Sequence, residues 1–538
     1  MAKEKSWLTQ RMSKSQCAKF EKKMLKSQKH KRIIYNRFIV TFLLVLLQFA
    51  FWGFILFRVY DWSSKIILLL IDLFSLICVL FILNHTERPS SKLNWIIIIL
   101  LFPFFGVLFY LLFGNGRPTA KMAKKIQKCK RENMEILHEF KTEGSLLKTR
   151  STETGRYLQK YTGYPAYSSG SVEFFPSGEE FFPEMLKEMD KAKEFILVEY
   201  FIIASGKMWQ AFKDMLLKKA NEGVQIRMIF DDFGCLFTMP PNFELYMQGL
   251  HENIRCLSFN YVLPILSMRV NNRDHRKLLV IDGKVGFTGG INLADEYINE
   301  KLRFGYWKDT GIKISGNATN SLTTMFFHIW NAFYPKKEKL QEFLRFEQHP
   351  IEAGGEEKQF WVQPYDDSPL DGENVGVNVY MDMIQRAQNY VYVATPYLIL
   401  DDFMRNALCL AAKRGVDVRI LTPGIPDKKT VFRLTRANYS TLIKAGVKIY
   451  EYTGGFVHAK QMVCDDDSAV VGTINLDYRS LYLHFENAVY FMNTKAVLEV
   501  KKDMETSFQI SKEITAPPKR YLIGRIFDSI LRVFESLI

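Results

Sequence analysis

The residues with the clearest chemical potential stand in two copies of one pattern. The first copy reads DHRKLLVIDGKVGFTGGINLADEY over Asp274–Tyr297, and the second reads VHAKQMVCDDDSAVVGTINLDYRS over Val457–Ser480. His275, Lys277, Asp282, Gly289 and Asn292 match His458, Lys460, Asp465, Gly472 and Asn475, each pair 183 residues apart. Five matches at a single offset mark a duplicated module. The chain holds only nine histidines, and two of them occupy matched positions. On a strand, residues two apart share a face, so each His–Lys pair points the same way. A neutral imidazole is a competent nucleophile, and an adjacent ammonium with amide donors neutralises the oxygens of a phosphate. One His-x-Lys is ordinary on a solvated strand; two complete copies are not.

Elements repeating in the same order must position these residues. AKEFILVEYFII (Ala192–Ile203) leads through a helical stretch to EGVQIRMIFDD (Glu222–Asp232), and AQNYVYVATPYLI (Ala387–Ile399) leads likewise to RGVDVRILTPG (Arg414–Gly424). Each unit reads strand, helix, strand, with Gly223 or Gly415 where a left-handed helix end suits that residue. Ile196–Val198 and Val391–Val393 are apolar without alternation, as strands covered on both faces require. The predicted fold is α/β, with two similar halves at 167–345 and 346–515 sharing one site.

Charge locates the rest. The net charge of +15 could signal nucleic acid or an anionic membrane. Residues 1–37 carry a net +10 and residues 117–131 a net +7, leaving the remainder at about −2. A nuclease body should itself be basic, so no nucleic-acid partner is expected. Both basic stretches flank an apolar block. Phe38–Phe57 is long enough to cross a bilayer, Ile66–Leu83 follows, and Trp95–Phe113 is interrupted by Pro103 and Gly106. With both basic flanks cytoplasmic, the number of crossings is even, and Trp95–Phe113 is then re-entrant; three true spans is the competing reading. The seven cysteines form no CxxC pair, so neither a zinc site nor a disulfide framework is suggested. Asp465, Asp466 and Asp467 could hold Mg²⁺, but they read more simply as a motif residue and the start of an exposed turn. No metal and no cofactor are expected.

These motifs resemble those that define the phospholipase D superfamily, and their flanks are similar to bacterial cardiolipin synthases: RPSSKLNW (Arg88–Trp95), GGINLADEY (Gly289–Tyr297), YWKDT (Tyr306–Thr310), ATPY (Ala394–Tyr397) and GTINLDYRSLYLHFE (Gly472–Glu486). The resemblance covers nearly the whole chain. It implies phosphatidyl transfer between two phosphatidylglycerol molecules, giving cardiolipin and glycerol through a phosphohistidine. It implies His275 as nucleophile and His458 as acid and base, although chemically equivalent halves leave that choice open. Lys277, Lys460, Asn292 and Asn475 would clamp phosphoryl oxygens. Thr473, in the place of Gly290, would add a hydrogen bond to phosphate. Asp282 and Asp465 would support the histidines or lysines, and Glu486 would orient one histidine.

The expected division is a basic cytoplasmic arm at 1–36, a membrane segment at 37–115, a basic linker at 116–166, the two halves, and an amphipathic helix at 516–538 lying on the membrane or on the catalytic body. The expected location is a bacterial cell membrane, multi-pass, with the catalytic part on the cytoplasmic face; the sequence says nothing of oligomeric state. The rival readings are hydrolysis or head-group exchange by the same motifs, and a silent lipid-binding scaffold. The scaffold conflicts with two intact motifs.

Overall fold

The computed structural model describes residues 62–84, 89–111, 117–139, 152–262, 271–346 and 360–516, with isolated residues in 16–53 and 524–532. The basic arm, the Phe38–Phe57 stretch and the C-terminal helix lie essentially outside them.

Two mixed sheets carry the catalytic body. The first runs, in spatial order, Ser171–Phe175, Gly311–Ser315, Val285–Gly289, Lys277–Ile281, Phe195–Tyr200, Gln225–Asp231 and Ile254–Phe259. The second runs Trp361–Asp367, Glu486–Met492, Ser468–Gly472, Gln461–Cys464, Tyr390–Ala394, Asp417–Pro423 and Lys448–Tyr452, with a short edge strand Ser511–Glu513 beyond. Strand for strand the orders agree, so the duplication seen in sequence is a duplication of topology. In each half the last three strands of the common order are parallel and the motif strand joins them antiparallel. Helices Lys207–Asn221 and Asp402–Lys413 make the matched crossovers. Gly223 and Gly415 follow them at φ +96° and +93°, in the left-handed region that spares only glycine a steric cost. Every residue of Phe195–Tyr200 and Tyr390–Ala394 is buried, as the apolar runs Ile196–Val198 and Val391–Val393 within them predict.

Within the expected linker, the described residues 117–139 are helical. Arg117–Glu139 is one helix, whose Met122, Ile126, Met134 and Leu137 are buried and which packs along helix Thr319–Phe333. Lys130 reaches between Asp366 at 3.0 Å and Asp371 at 3.3 Å. Its surplus of lysines hides an apolar stripe at helical spacing, which anchors it to the body.

Among the described residues, one helix, Lys65–Asn84, is long and apolar enough to cross a membrane. The next apolar stretch is broken. Helix Pro89–Leu101 is followed at once by helix Pro103–Phe109, and the chain folds back there. A Cβ on Gly106 would stand 2.6 Å from the Ile98 carbonyl oxygen, so glycine alone permits this approach. Ser75 Oγ donates to the Pro103 carbonyl at 3.1 Å, tying the fold-back to the long helix.

Candidate active site

The motif strands begin two and three residues after their histidines. Lys277 opens strand Lys277–Ile281, and Lys460 directly precedes Gln461–Cys464. The two-residue periodicity puts each lysine on its histidine's face, where Lys277 Nζ donates to the His275 carbonyl and Lys460 Nζ to the His458 carbonyl. His275 and His458 are 7% exposed and both lysines 1%.

The halves hold one another's histidines. His275 N–H donates to the Phe485 carbonyl at 2.9 Å, and Phe485 N–H donates to the Arg273 carbonyl at 2.8 Å. In the opposite direction, His458 N–H donates to the Lys308 carbonyl at 2.7 Å, continuing a short parallel pairing of Tyr306–Lys308 with Gly455–Val457. The side chains repeat this crossing. His275 Nδ1 lies 2.9 Å from both Glu486 oxygens, and His458 Nδ1 lies 2.7 Å from Asp309 Oδ2. Each imidazole therefore belongs to one half and its carboxylate to the other.

Asp309 is the residue that sequence reasoning missed, although it stands in the quoted YWKDT. Gly289 pairs with Gly311 and Gly472 with Ala488, so Asp309 and Glu486, each two residues earlier, occupy equivalent places. They are 177 rather than 183 residues apart, because the connection before Asp309 is six residues longer. A search at the motif's own offset passes over it.

Three expected roles are corrected. Asp282 accepts the backbone N–H groups of Lys193, Glu194 and Phe195, each at 2.8 Å, and Asp465 accepts those of Gln388, Asn389 and Tyr390 at 2.7–3.0 Å. Five extended residues carry Asp282 roughly 16 Å beyond Lys277, so these aspartates lock the far end of the motif strand and do not support the histidines or lysines. The Thr473 hydroxyl donates to Glu486, not outward to a phosphate. At the matched Gly290 a Cβ would collide with Asp309 Oδ1 at 2.0 Å, so the glycine clears space for that carboxylate. Asn292 accepts from Ile202 N–H at 3.0 Å and donates to the Tyr297 hydroxyl at 2.8 Å. Asn475 N–H donates to the Ser480 hydroxyl oxygen at 2.8 Å, and among the described residues its buried side-chain oxygen has no partner.

Burial sets the protonation states. It holds both imidazoles below their usual range, aided by the facing lysines and opposed by Glu486 and Asp309. It pushes Lys277 down to about 7, with Lys460 adding to the fall and Glu486 and Asp309 resisting it. Lys460 is pushed down to about 8 by the same burial. The mutual influence of Lys277 with Lys460 and of His458 with Lys277 brings the two motifs into one electrostatic site. A carboxylate on each Nδ1–H leaves the Nε2 lone pair free to attack, and a bound anion would hold both lysines in their protonated form.

Two interlocked α/β halves, each contributing a His-x-Lys motif and receiving a carboxylate from the other, are the architecture of a phospholipase D-like enzyme. The family described as cardiolipin synthase, PLD-like domain matches residues 185–323 and 380–508, and a phospholipase D-nuclease N-terminal family matches residues 70–115. Cardiolipin synthase 2 of Bacillus anthracis is 34% identical over 477 residues, covering 86% of this chain and 89% of that protein. An uncharacterised protein of Streptococcus mutans is 43% identical over 444 residues, 81% of this chain and 94% of the other. The chain belongs to the cardiolipin synthase family. The fold is shared with a phosphatidylserine synthase of Haemophilus influenzae, at a TM-score of 0.54 and 16% identity over 72% of this chain and 98% of that one.

Proposed function

We propose that this chain is a cardiolipin synthase, a phosphatidyltransferase that joins two phosphatidylglycerol molecules and releases glycerol. The crossed His–carboxylate pairs around two buried lysines carry this reading, since they supply a nucleophile, an acid–base and an oxyanion clamp at one point. Lys277 and Lys460 take the phosphodiester, with Asn292 and Asn475 beside them. His275 Nε2 attacks phosphorus, forming a P–N bond as the P–O bond to glycerol breaks and His458 protonates the departing oxygen. The free glycerol hydroxyl of a second phosphatidylglycerol then gives its proton to His458 and attacks phosphorus, and the P–N bond breaks.

The surroundings of the two carboxylates favour this assignment. Glu486 also receives the Thr473 and Ser480 hydroxyls, which spread its charge and leave His275 neutral. Asp309 receives the Thr310 N–H at 2.9 Å besides His458, so more of its charge is left to favour an imidazolium at His458. The bilayer holds the chain by Phe38–Phe57 and Lys65–Asn84, with the folded-back stretch remaining on one side. That leaves both basic flanks and the two halves, 167–345 and 346–515, on the cytoplasmic face.

The test is incubation of the detergent-solubilised enzyme with labelled phosphatidylglycerol alone. Cardiolipin and glycerol are expected in equal amounts; phosphatidate as the main product would overturn the reading. In His458→Ala, denatured after brief exposure, label should map to the peptide holding His275. Label on the His458 peptide of His275→Ala would reverse the roles.

A further inference from the structure

Besides Gly290 and Thr473, the halves differ at a second position beside their clamps. Trp307 stands two residues before Asp309, and His484 stands in the matched place two residues before Glu486. The Trp307 ring lies 5.2 Å from that of His458, and the His484 ring lies 5.5 Å from that of His275. One histidine thus has an indole for a neighbour and the other a second imidazole. His484 Nδ1 stands 3.7 Å from Glu486 Oε1, beyond hydrogen-bond length, and among the described residues this buried nitrogen has no hydrogen-bond partner. One ligand atom from each of His275, His484 and Glu486 lies within 4.8 Å of the others.

Two imidazoles and a carboxylate are the donor set that borderline divalent ions prefer, with zinc–nitrogen bonds of about 2.0–2.1 Å and a fourth position left open. Ligands around such an ion stand roughly 3.4 Å apart, so closing on one asks only for small rotations of the three side chains. The His484 side chain is 12% exposed, giving an ion a way in from solvent. Magnesium, which favours oxygen ligands, does not suit the set.

We propose that His275, His484 and Glu486 form a binding site for a divalent transition ion of the Zn²⁺ type, and that its occupation switches the enzyme off. Coordination through Nδ1 removes His275 from Glu486 and moves its single ring proton to Nε2. No proton is gained or lost overall, because the imidazole stays neutral and only its tautomer changes. The nitrogen that attacks phosphorus is then an N–H without a lone pair. The ion also draws the Glu486 carboxylate away, so the histidine loses both its reactive electrons and its orientation. On the other side Trp307 fills the place of His484, and among the described residues no second group of three ligands surrounds His458, so the effect is confined to one histidine.

This loss of activity rests on the assignment of His275 in the reaction; the site itself does not. Full-length enzyme in detergent is titrated with Co²⁺, whose four-coordinate complexes absorb visibly, and separately assayed with Zn²⁺, Mg²⁺ and EDTA. Expected are a saturating cobalt spectrum with one ion per chain, inhibition by Zn²⁺ reversed by EDTA, and no inhibition by Mg²⁺. His484→Asn should lose the spectrum and weaken Zn²⁺ inhibition by at least about 100-fold, with uninhibited turnover unchanged. Absence of cobalt absorption in the parent enzyme, or undiminished Zn²⁺ inhibition in His484→Asn, would overturn the site. A full cobalt spectrum without loss of activity would instead overturn the role given to His275.

Discussion

Replacing Lys277 by Met should make this protein more stable and nearly inactive. The lysine is 1% exposed, and its pKa falls from 10.5 to about 7, first through burial and then through Lys460. A lysine whose pKa falls on folding binds fewer protons folded than unfolded between those limits. It therefore costs stability below pH 10.5, and the cost is released as pH rises from 7 towards 10.5. The fall corresponds to roughly 4 kcal/mol at neutral pH, at 1.36 kcal/mol for each tenfold change. Methionine fills a similar volume without charge, but forfeits the bond to the His275 carbonyl, worth about 1 kcal/mol, and some neutralisation of Glu486 and Asp309. A net gain of about 2 kcal/mol remains, a rise of several degrees in the unfolding midpoint of the catalytic body. Lys460→Met, starting from about 8, should gain less. Turnover should fall by about 10²–10³, since a donor to the phosphoryl oxygens is gone. Thermal unfolding in detergent at pH 7 and pH 10 measures the first effect and cardiolipin formation the second. A lower midpoint at pH 7, or a gain of the same size at pH 10, would refute the reasoning.

Asp309→Asn should cut turnover by about 10²–10⁴, because the amide can donate to His458 Nδ1 and so place the proton on Nε2; a change within a few-fold in the cardiolipin assay would remove Asp309 from the mechanism. Asp282→Ala strands three backbone N–H groups and should cost about 3 kcal/mol of stability, while the protein that remains folded keeps its turnover per site; thermal unfolding beside active-site titration separates the two. A cysteine placed at Lys121, exposed on the basic helix, should resist membrane-impermeant maleimide in intact cells and react after lysis; labelling in intact cells would put this helix and the catalytic body outside, as three crossings require.

The repeat, the strand–helix–strand units and the His-x-Lys pairs were legible because each is a local pattern at a constant offset. What the offset cannot express is exchange. A duplicated sequence suggests two like halves facing each other, but not that each imidazole completes its hydrogen bond in the other half, as His275 does with Glu486 and His458 with Asp309. The motif aspartates misled for a related reason. Five residues are a short interval in sequence, yet they run the length of the strand and deliver Asp282 to its far end. Thr473 looked outward in the sequence as a free hydroxyl, and only the packing of Glu486 against it shows where its proton goes. The helix at 117–139 was hidden by composition, since its lysines and arginines outnumber the buried apolar residues that dock it.

The backbone bonds from His275 to Phe485 and from His458 to Lys308 have a consequence for how the enzyme fails. A partial opening between the halves removes the main-chain anchor and the carboxylate of both histidines in the same motion. The site therefore obeys an all-or-nothing logic, with no loosened form in which one histidine still attacks while the other is out of reach. For an enzyme that must pass its covalent lipid to a second lipid and not to water, such a lock keeps a half-assembled catalyst from acting as a lipase against the membrane that houses it.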